Sequence, residues 1–155
     1  MMFPDQRKLE TLAGRVGVSF LANRLTLVTA ESCTGGWVAQ CLTAIAGSSE
    51  WFDRGFVTYS NQAKREMLGV PAEMLMEHGA VSQQVVASMA QGALRHSSAD
   101  WAVAITGIAG PGGGSADKPA GTVCFSWAAR DGALSVETCH FHGDREAVRA
   151  QSVAH

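Results

Sequence analysis

Hydrophobic side chains recur with the spacing of an α-helix near the start of the chain. Between residues 5 and 23 they fall every three or four positions, which places them on one helical face. They are Leu9, Leu12, Ala13, Val16, Phe20 and Leu21. The same spacing returns after Ser82, an expected N-cap residue, in VSQQVVASMAQGALRHS. We therefore expect two amphipathic helices that pack on a sheet.

Short apolar runs rich in β-branched residues predict the strands. LTLVTA (residues 25–30) and DWAVAITG (residues 100–107) are nearly continuous, as in strands buried on both faces. GFVTYS (residues 55–60) has a similar composition. TVCFSWAA and LSVETCHFH are separated by RDGA, and Asp131-Gly132 in that linker favours a hairpin. The last two strands are therefore expected to be antiparallel.

Four shorter segments have the composition of helices. Residues 37–45 follow two glycines, and NQAKREMLGV (residues 61–70) is stopped by Gly69 and Pro71. Residues 72–77 and the closing DREAVRAQSVA complete the set. Strands interleaved with helices and a late hairpin predict an α/β fold, a three-layer α/β/α sandwich with a mixed β-sheet. We expect residues 1–155 to form a single domain.

Composition and charge narrow the classes of function. The 155 residues have a formal net charge of −2, with 17% charged and 46% hydrophobic residues. Since no cluster of Lys and Arg is present, neither nucleic acid nor a membrane surface is an expected partner. The four cysteines lack a CxxC pair, which argues against a structural metal or a disulfide framework. Without a signal-like start or a long apolar run, we expect a cytoplasmic protein with reduced thiols.

The first candidate site is TAESCTGG (residues 29–36), where a predicted strand gives way to a predicted helix. Free N–H groups at a helix N-terminus and the flexibility of glycine suit a bound phosphate or oxyanion. The candidate residues are Glu31, Ser32, Cys33, Thr34, Gly35 and Gly36. These residues alone leave three interpretations open: a phosphate cradle, a nucleophile loop, or a helix cap supplied by Ser32 or Thr34.

A second glycine-rich stretch follows the strand at residues 100–107 and leads into another strand, so it is not a dinucleotide fingerprint. Its candidate residues are Thr106, Gly107, Ile108, Ala109 and Gly110. The stretch either wraps a ligand or forms a flexible surface connection. His140 and His142 alternate on a predicted strand and would share a face. With no third ligand nearby, we predict no metal site there.

Five motifs, in their order along the chain, resemble the CinA C-terminal domain family. They are TAESCTGGWVAQ, GFVTYSNQAKREMLGV, HGAVS, TGIAGPGGGSADKPAGTV and GDREAVR, and the resemblance covers about residues 25–149. For the enzymatic members of the family it implies hydrolysis of the carboxamide of nicotinamide mononucleotide, giving nicotinic acid mononucleotide and ammonia in pyridine-nucleotide (NAD) salvage. It also implies a serine nucleophile with a lysine base, and neither a metal nor a cofactor.

Carried onto this sequence, the resemblance makes Ser32 the nucleophile and Lys64 its base. A lysine must be desolvated before it accepts a proton near neutral pH, so we expect Lys64 to be buried. Tyr59 and Asn61 share its motif, and either would steer the lysine or hydrogen-bond the substrate. The SCTGG backbone is expected to stabilise the oxyanion. Arg145, with residues 106–110, is the candidate for binding the substrate phosphate.

Two competing functions stay open. A non-catalytic member of the same family, acting as a nucleotide-binding or regulatory module, would not need both Ser32 and Lys64. A metal phosphohydrolase that used His140 and His142 would lose activity with a chelator. The chain resembles the stand-alone form of the family, its closing helix looks short, and a homodimer is a plausible assembly from prevalence alone.

Overall fold

The molecule is built around one five-stranded sheet. A computed structural model describes residues 3–155. The strands are β1 (Leu27–Glu31), β2 (Phe52–Val57), β3 (Trp101–Gly107), β4 (Thr122–Ala129) and β5 (Leu134–His140). Their order across the sheet is β2-β1-β3-β4-β5. β1 is parallel to β2 and β3, whereas β4 is antiparallel to β3 and β5. The predicted mixed sheet and the late hairpin are thus confirmed.

Helices occupy the segments between the strands and close the chain. They are α1 (Gln6–Asn23), α2 (Trp37–Thr43), α3 (Asn61–Leu68), α4 (Ala72–His78), α5 (Gln83–Arg95) and α6 (Arg145–Ala154), with a 3-10 turn at Ser48–Glu50. Four of the α-helices begin after a polar N-cap whose side chain accepts a backbone N–H from the first turn. These caps are Asp5, Ser60, Ser82 and Asp144. No helix among residues 3–155 combines the length and the apolar character that a membrane crossing requires.

The two faces of the sheet are covered by different helices, because successive residues of a strand point to opposite faces. Val28 and Ala30 of β1 pack with apolar residues of α3, α4 and α5. Leu27 of the same strand packs with residues of α1 and α2 on the other face, where Val148 of α6 also meets the sheet. The result is the predicted three-layer α/β/α sandwich, with β1 buried along its whole length.

The crossing of α3 and α5 is close because α5 has a glycine at the contact. A Cβ atom added to Gly92 would collide with the backbone carbonyl of Leu68 at the end of α3. Only glycine permits this approach without a shift of one helix. The contact fixes α3 against the sheet, and α3 carries Lys64.

The ends of two strands differ from the prediction. β2 begins at Phe52 and ends at Val57, whereas residues 55–60 were the expected strand. The start of the strand was not predicted because the exposed, charged Asp53 and Arg54 interrupt the apolar pattern there. An edge strand tolerates charged side chains that a buried strand would exclude. β5 ends at His140, so the prediction that His140 and His142 alternate on one strand is wrong.

Candidate functional site

The parallel pairing of β1 and β2 brings two distant motifs to one edge of the sheet. Glu31 at the end of β1 pairs with Val57 at the end of β2, and Ser32 and Thr58 follow directly. Helix α3 then returns over this edge and carries Lys64 in its first turns. The Lys64 Nζ lies 2.9 Å from the Ser32 Oγ and donates a 2.7 Å hydrogen bond to the Thr58 carbonyl. A serine and a lysine separated in sequence are therefore in direct contact.

Lys64 is buried, as predicted, with 1% of its surface exposed. Removal from water disfavours its ammonium form and lowers its pKa from the ordinary 10.5 to about 8. A neutral amine is then accessible close to neutral pH. Because Ser32 is also buried, at 8% exposure, the hydroxyl and the amine meet at a site shielded from bulk solvent. The arrangement can move a proton from the Ser32 hydroxyl to Lys64.

Cys33 is the other potential nucleophile of the loop, and its surroundings disfavour that chemistry. Its side chain packs against Ile105, Ala109 and Phe125. Burial raises the pKa of the thiol to about 12, so the thiolate is scarce near neutral pH. Gly107 makes room for this packing, since a Cβ there would lie 3.0 Å from the Cys33 Sγ. Among the adjacent hydroxyl and thiol groups, Ser32 is the one in contact with a base.

The backbone of the Ser32 loop presents free hydrogen-bond donors. Within the loop, the N–H of Gly35 donates to the Ser32 carbonyl and that of Trp37 donates to the Thr34 carbonyl. No backbone carbonyl within residues 3–155 accepts a hydrogen bond from the N–H groups of Cys33, Thr34 and Gly36. These donors lie one to four residues after Ser32, where an anion at its hydroxyl would meet them.

Glu31 lies behind the loop and caps α2. Its carboxylate accepts hydrogen bonds from the Thr34 hydroxyl at 2.7 Å, the Val38 N–H at 2.9 Å and the Ala39 N–H at 3.0 Å. Its exposure is only 1%. Both oxygens are thus used within the protein, and the expected contact of Glu31 with substrate stays a prediction.

Arg145 connects the second glycine-rich stretch to Tyr59. Its guanidinium donates to the Gly110 carbonyl at 2.9 Å and to the Tyr59 hydroxyl at 2.9 Å. Tyr59 is 60% exposed and follows β2 just before Ser60 caps α3. The structure therefore brings together three residues that the sequence analysis singled out in separate motifs. Two of the five guanidinium N–H groups are used in these bonds, which leaves three for a ligand.

The remaining predicted residues have varied surroundings. Thr106 is buried, and its hydroxyl donates to the Ala80 carbonyl at 3.0 Å. The N–H of Ile108 donates to the Thr122 carbonyl, and Ala109 is buried in the same apolar cluster as Cys33. Asn61 begins α3 and is exposed. No hydrogen bond links these residues directly to Ser32 in the described part of the chain.

Arg149 is a site residue that the sequence analysis did not identify. Its Nε donates to the Cys33 carbonyl at 3.1 Å and its Nη2 donates to the Thr34 carbonyl at 3.2 Å. Its guanidinium also lies 5.3 Å from the centre of the Trp37 ring. The signal that could have found it is the spacing to Arg145, since residues four apart share a helix face.

Two cavities among the described residues have opposite character. One of about 380 Å³ is open and is lined by Trp37, Arg145, Glu146 and Arg149. A larger one of about 500 Å³ lies between α1, the sheet and the end of α6, and its lining is mainly apolar. Neither Ser32 nor Lys64 lines either cavity. The smaller cavity, with two arginines, is the one suited to an anionic group.

These features define a class of protein, a three-layer α/β/α domain with a buried serine–lysine pair at the carboxyl ends of its parallel strands. The chain belongs to the CinA C-terminal domain family, and the match to that family covers residues 9–155. The resemblance found in the five sequence motifs is therefore confirmed.

Three comparisons show the relationships within the family. Nicotinamide-nucleotide amidohydrolase PncC of Escherichia coli strain K12 is 56% identical over 149 residues, or 96% of this chain and 90% of that protein. A putative competence-damage inducible protein of Symbiobacterium thermophilum is 52% identical over 94% of this chain, which is only 36% of that protein. The crystal structure of the competence/damage inducible protein CihA from Agrobacterium tumefaciens has a TM-score of 0.93 and 50% identity, covering 99% of this chain and 93% of that chain.

Proposed function

We propose that this protein hydrolyses the carboxamide of nicotinamide mononucleotide, giving nicotinic acid mononucleotide and ammonia for pyridine-nucleotide (NAD) salvage. The observation that carries the proposal is the buried 2.9 Å contact between the Ser32 Oγ and the Lys64 Nζ. A binding module has no need of such a pair. The substrate is supported by the Escherichia coli relative, which is named a nicotinamide-nucleotide amidohydrolase.

In the proposed reaction, neutral Lys64 takes the proton of the Ser32 hydroxyl while the Oγ attacks the carboxamide carbon. The tetrahedral intermediate breaks its C–N bond, and the leaving nitrogen takes the proton from Lys64 and departs as ammonia. A water molecule, deprotonated by Lys64, then attacks the acyl-serine ester. The second tetrahedral intermediate breaks its bond to the Ser32 Oγ, which takes the proton back from Lys64, and nicotinic acid mononucleotide and free Ser32 result. Every one of these proton transfers uses the same amine, so no metal is required to activate the nucleophile.

The oxyanion of the intermediate has donors within reach. The free N–H groups of Cys33, Thr34 and Gly36 follow Ser32 at the start of α2. Preorganised backbone donors of this kind stabilise the charge that develops on the carbonyl oxygen. Glu31 supports the role indirectly, because its carboxylate occupies the Val38 and Ala39 N–H groups and fixes the helix start.

The substrate phosphate is assigned to Arg145 at the open cavity that Arg149 and Trp37 also line. Guanidinium groups bind phosphate with paired hydrogen bonds, and Arg145 retains free N–H groups beyond its bonds to Gly110 and Tyr59. Tyr59 is proposed to contact the substrate beside the lysine. An Arg145→Ala variant is expected to raise KM for the mononucleotide by roughly tenfold or more, the value of a charge-assisted hydrogen bond. Exposed Arg65 provides the matched control, Arg65→Ala.

Ammonia release from nicotinamide mononucleotide, measured with and without excess EDTA, tests the function. The protein should turn over in both conditions, and Ser32→Ala and Lys64→Ala should each lose at least ~10³-fold in kcat. Ser126→Ala is the control for a buried serine, because Ser126 is fully buried on β4. Lys8→Ala is the control for a surface lysine on α1. Both controls should retain activity.

Three outcomes would overturn parts of the proposal. If the parent protein is inert but the mononucleotide raises its Tm, the chain is a nucleotide-binding module. Full activity of folded Ser32→Ala would remove the nucleophile assignment. Loss of turnover with EDTA, restored by added metal, would point to metal-assisted hydrolysis instead of serine–lysine chemistry.

A further inference from the structure

A cluster of metal-ligating side chains lies outside the serine–lysine site. The Glu137 carboxylate, the Cys139 thiol and the His155 imidazole offer one ligand atom each, all within 4.8 Å of one another. The His155 Nε2 is 2.9 Å from the Glu137 Oε2 and 3.7 Å from the Cys139 Sγ. The Cys139 Sγ is 3.6 Å from the Glu137 Oε1.

Two of the three groups share a strand. Glu137 and Cys139 are two positions apart on β5, so their side chains point to the same face of the sheet. They pair with Phe125 and Val123 of β4, whose side chains pack on the α6 side. Hence the spacing of the first two groups is set by the pleat of the sheet, which is a rigid support.

The third group is held against aromatic rings. His155 follows the last turn of α6, and its ring centre lies 4.6 Å from that of Phe125 and 5.9 Å from that of Trp127. Phe141 approaches the same ring at 6.2 Å. In this packing the His155 Nε2 is directed toward Glu137 and Cys139.

We propose that Glu137, Cys139 and His155 form a binding site for one Zn²⁺ ion. Thiolate, imidazole and carboxylate are the ligands that zinc prefers, and with bond lengths of ~2.0–2.3 Å a tetrahedral site separates its ligand atoms by ~3.3–3.6 Å. The two distances from the Cys139 Sγ, 3.6 Å to Glu137 and 3.7 Å to His155, lie at the upper end of that range. A shift of the His155 ring away from Glu137 would complete the geometry. Three protein ligands leave the fourth position to water.

The site is separate from the catalytic one. Glu137 pairs with Phe125, which pairs with Ile105, which pairs with Glu31, so three strand spacings separate β5 from β1. At ~4.8 Å per strand this is about 14 Å. The metal therefore cannot take part in the Ser32 reaction. It would instead tie the end of α6 to β5, and α6 carries Arg145 and Arg149.

Titration of the full chain with Co²⁺ under reducing, oxygen-free conditions tests the site directly. Co²⁺ takes the place of Zn²⁺ and gives an intense near-ultraviolet absorption when a thiolate binds it. One equivalent per chain is expected, and Zn²⁺ should displace it. Free Zn²⁺ at a hundredfold excess over Kd should raise Tm by roughly 5 °C or more.

Variants separate this site from other thiols and histidines. Cys139→Ser should abolish the absorption, and His155→Ala and Glu137→Gln should weaken Co²⁺ binding at least tenfold. His140→Ala is the matched control, since His140 lies on the same strand and its ring approaches Thr122 on the other face. The proposal is overturned if Co²⁺ gives no saturable thiolate absorption, or if the absorption survives Cys139→Ser. It is also overturned if His140→Ala weakens binding as much as His155→Ala. In that last case the ion binds elsewhere.

Discussion

The Lys64 Nζ lies 2.9 Å from the Ser32 Oγ, although the two residues are 32 positions apart in sequence. The lysine also donates to the Thr58 carbonyl, which leaves the amine aimed at the serine whether it is charged or neutral. As an ammonium it donates to the Oγ, and as an amine it accepts the hydroxyl proton. Only the second state activates the nucleophile, so the protonation of Lys64 controls the reaction.

The pH dependence of turnover is the first prediction. Because burial lowers the pKa of Lys64 to about 8, the neutral fraction rises about tenfold per pH unit below that value. We expect kcat/KM for nicotinamide mononucleotide to rise with unit slope below pH 8 and to level above it. The substrate phosphate titrates near ~6, so rates should be compared above that pH. A profile that is flat or falling through pH 8 would contradict a lysine base.

The same pKa gives a second prediction, on stability. The folded pKa of about 8 is below the unfolded value of 10.5, so the unfolded chain binds more protons between these two values. Stability therefore rises with pH across that window, and below pH 8 the buried ammonium costs ~3 kcal/mol. Relative to Lys64→Met, the wild type should gain about this much in free energy of unfolding between pH 7 and pH 10.5.

Urea unfolding of both proteins at the two pH values measures this gain. The Lys64→Met substitution leaves the Thr58 carbonyl without its donor, but that loss does not depend on pH and cancels in the difference. All other ionisable groups are common to both proteins, so their contributions also cancel in the difference. If the two unfolding free energies keep a constant difference across the window, Lys64 titrates normally in the folded protein.

Much of the fold was predictable from the sequence because its signals are local. The apolar stripe of α1, the Ser82 cap of α5 and the Asp131-Gly132 turn each depend on a few neighbouring residues. The start of β2 was missed because Asp53 and Arg54 lie on an edge strand, where the apolar pattern is weak. Strand order needed the structure, since pairing joins residues far apart in sequence.

The site was predictable to a smaller extent. The family resemblance pointed to Ser32 and Lys64, and the fold supplies the contact between them. Arg149 was missed because its partners are backbone carbonyls, so that only its four-residue spacing from Arg145 indicated it in the sequence. The cluster of Glu137, Cys139 and His155 was not predicted, because it contains one cysteine and no cysteine pair marks it in the sequence. Its three residues come from a strand and a helix end, which only the fold brings together.

A substitution at Glu31 tests whether this residue caps α2 or binds the substrate. Its carboxylate accepts two backbone N–H groups of α2 and the Thr34 hydroxyl, and Glu31→Gln would turn an amide NH₂ toward one of these donors. We expect a loss of ~2 kcal/mol in unfolding free energy, with KM for the mononucleotide within about twofold of wild type. Exposed Glu50 gives the control, Glu50→Gln. A large rise in KM with unchanged stability would instead place Glu31 against the substrate.

Arg149 is expected to position the Ser32 loop. It holds the carbonyls of Cys33 and Thr34, two of the three residues whose N–H groups are assigned to the oxyanion. Without it the donors lose their alignment, so Arg149→Ala should lower kcat by roughly 10- to 100-fold and change KM less. Arg149→Lys should recover part of kcat, because an ammonium still reaches one carbonyl.

The matched control for this prediction is Arg130, which donates to the carbonyls of Leu94, Ser97 and Ala99. Those partners lie at the end of α5 and before β3, away from the Ser32 loop. Arg130→Ala should lower Tm without a selective effect on kcat. If Arg149→Ala raises KM as strongly as Arg145→Ala and leaves kcat unchanged, its guanidinium binds the substrate phosphate, since a loop-positioning residue would act on the chemical step.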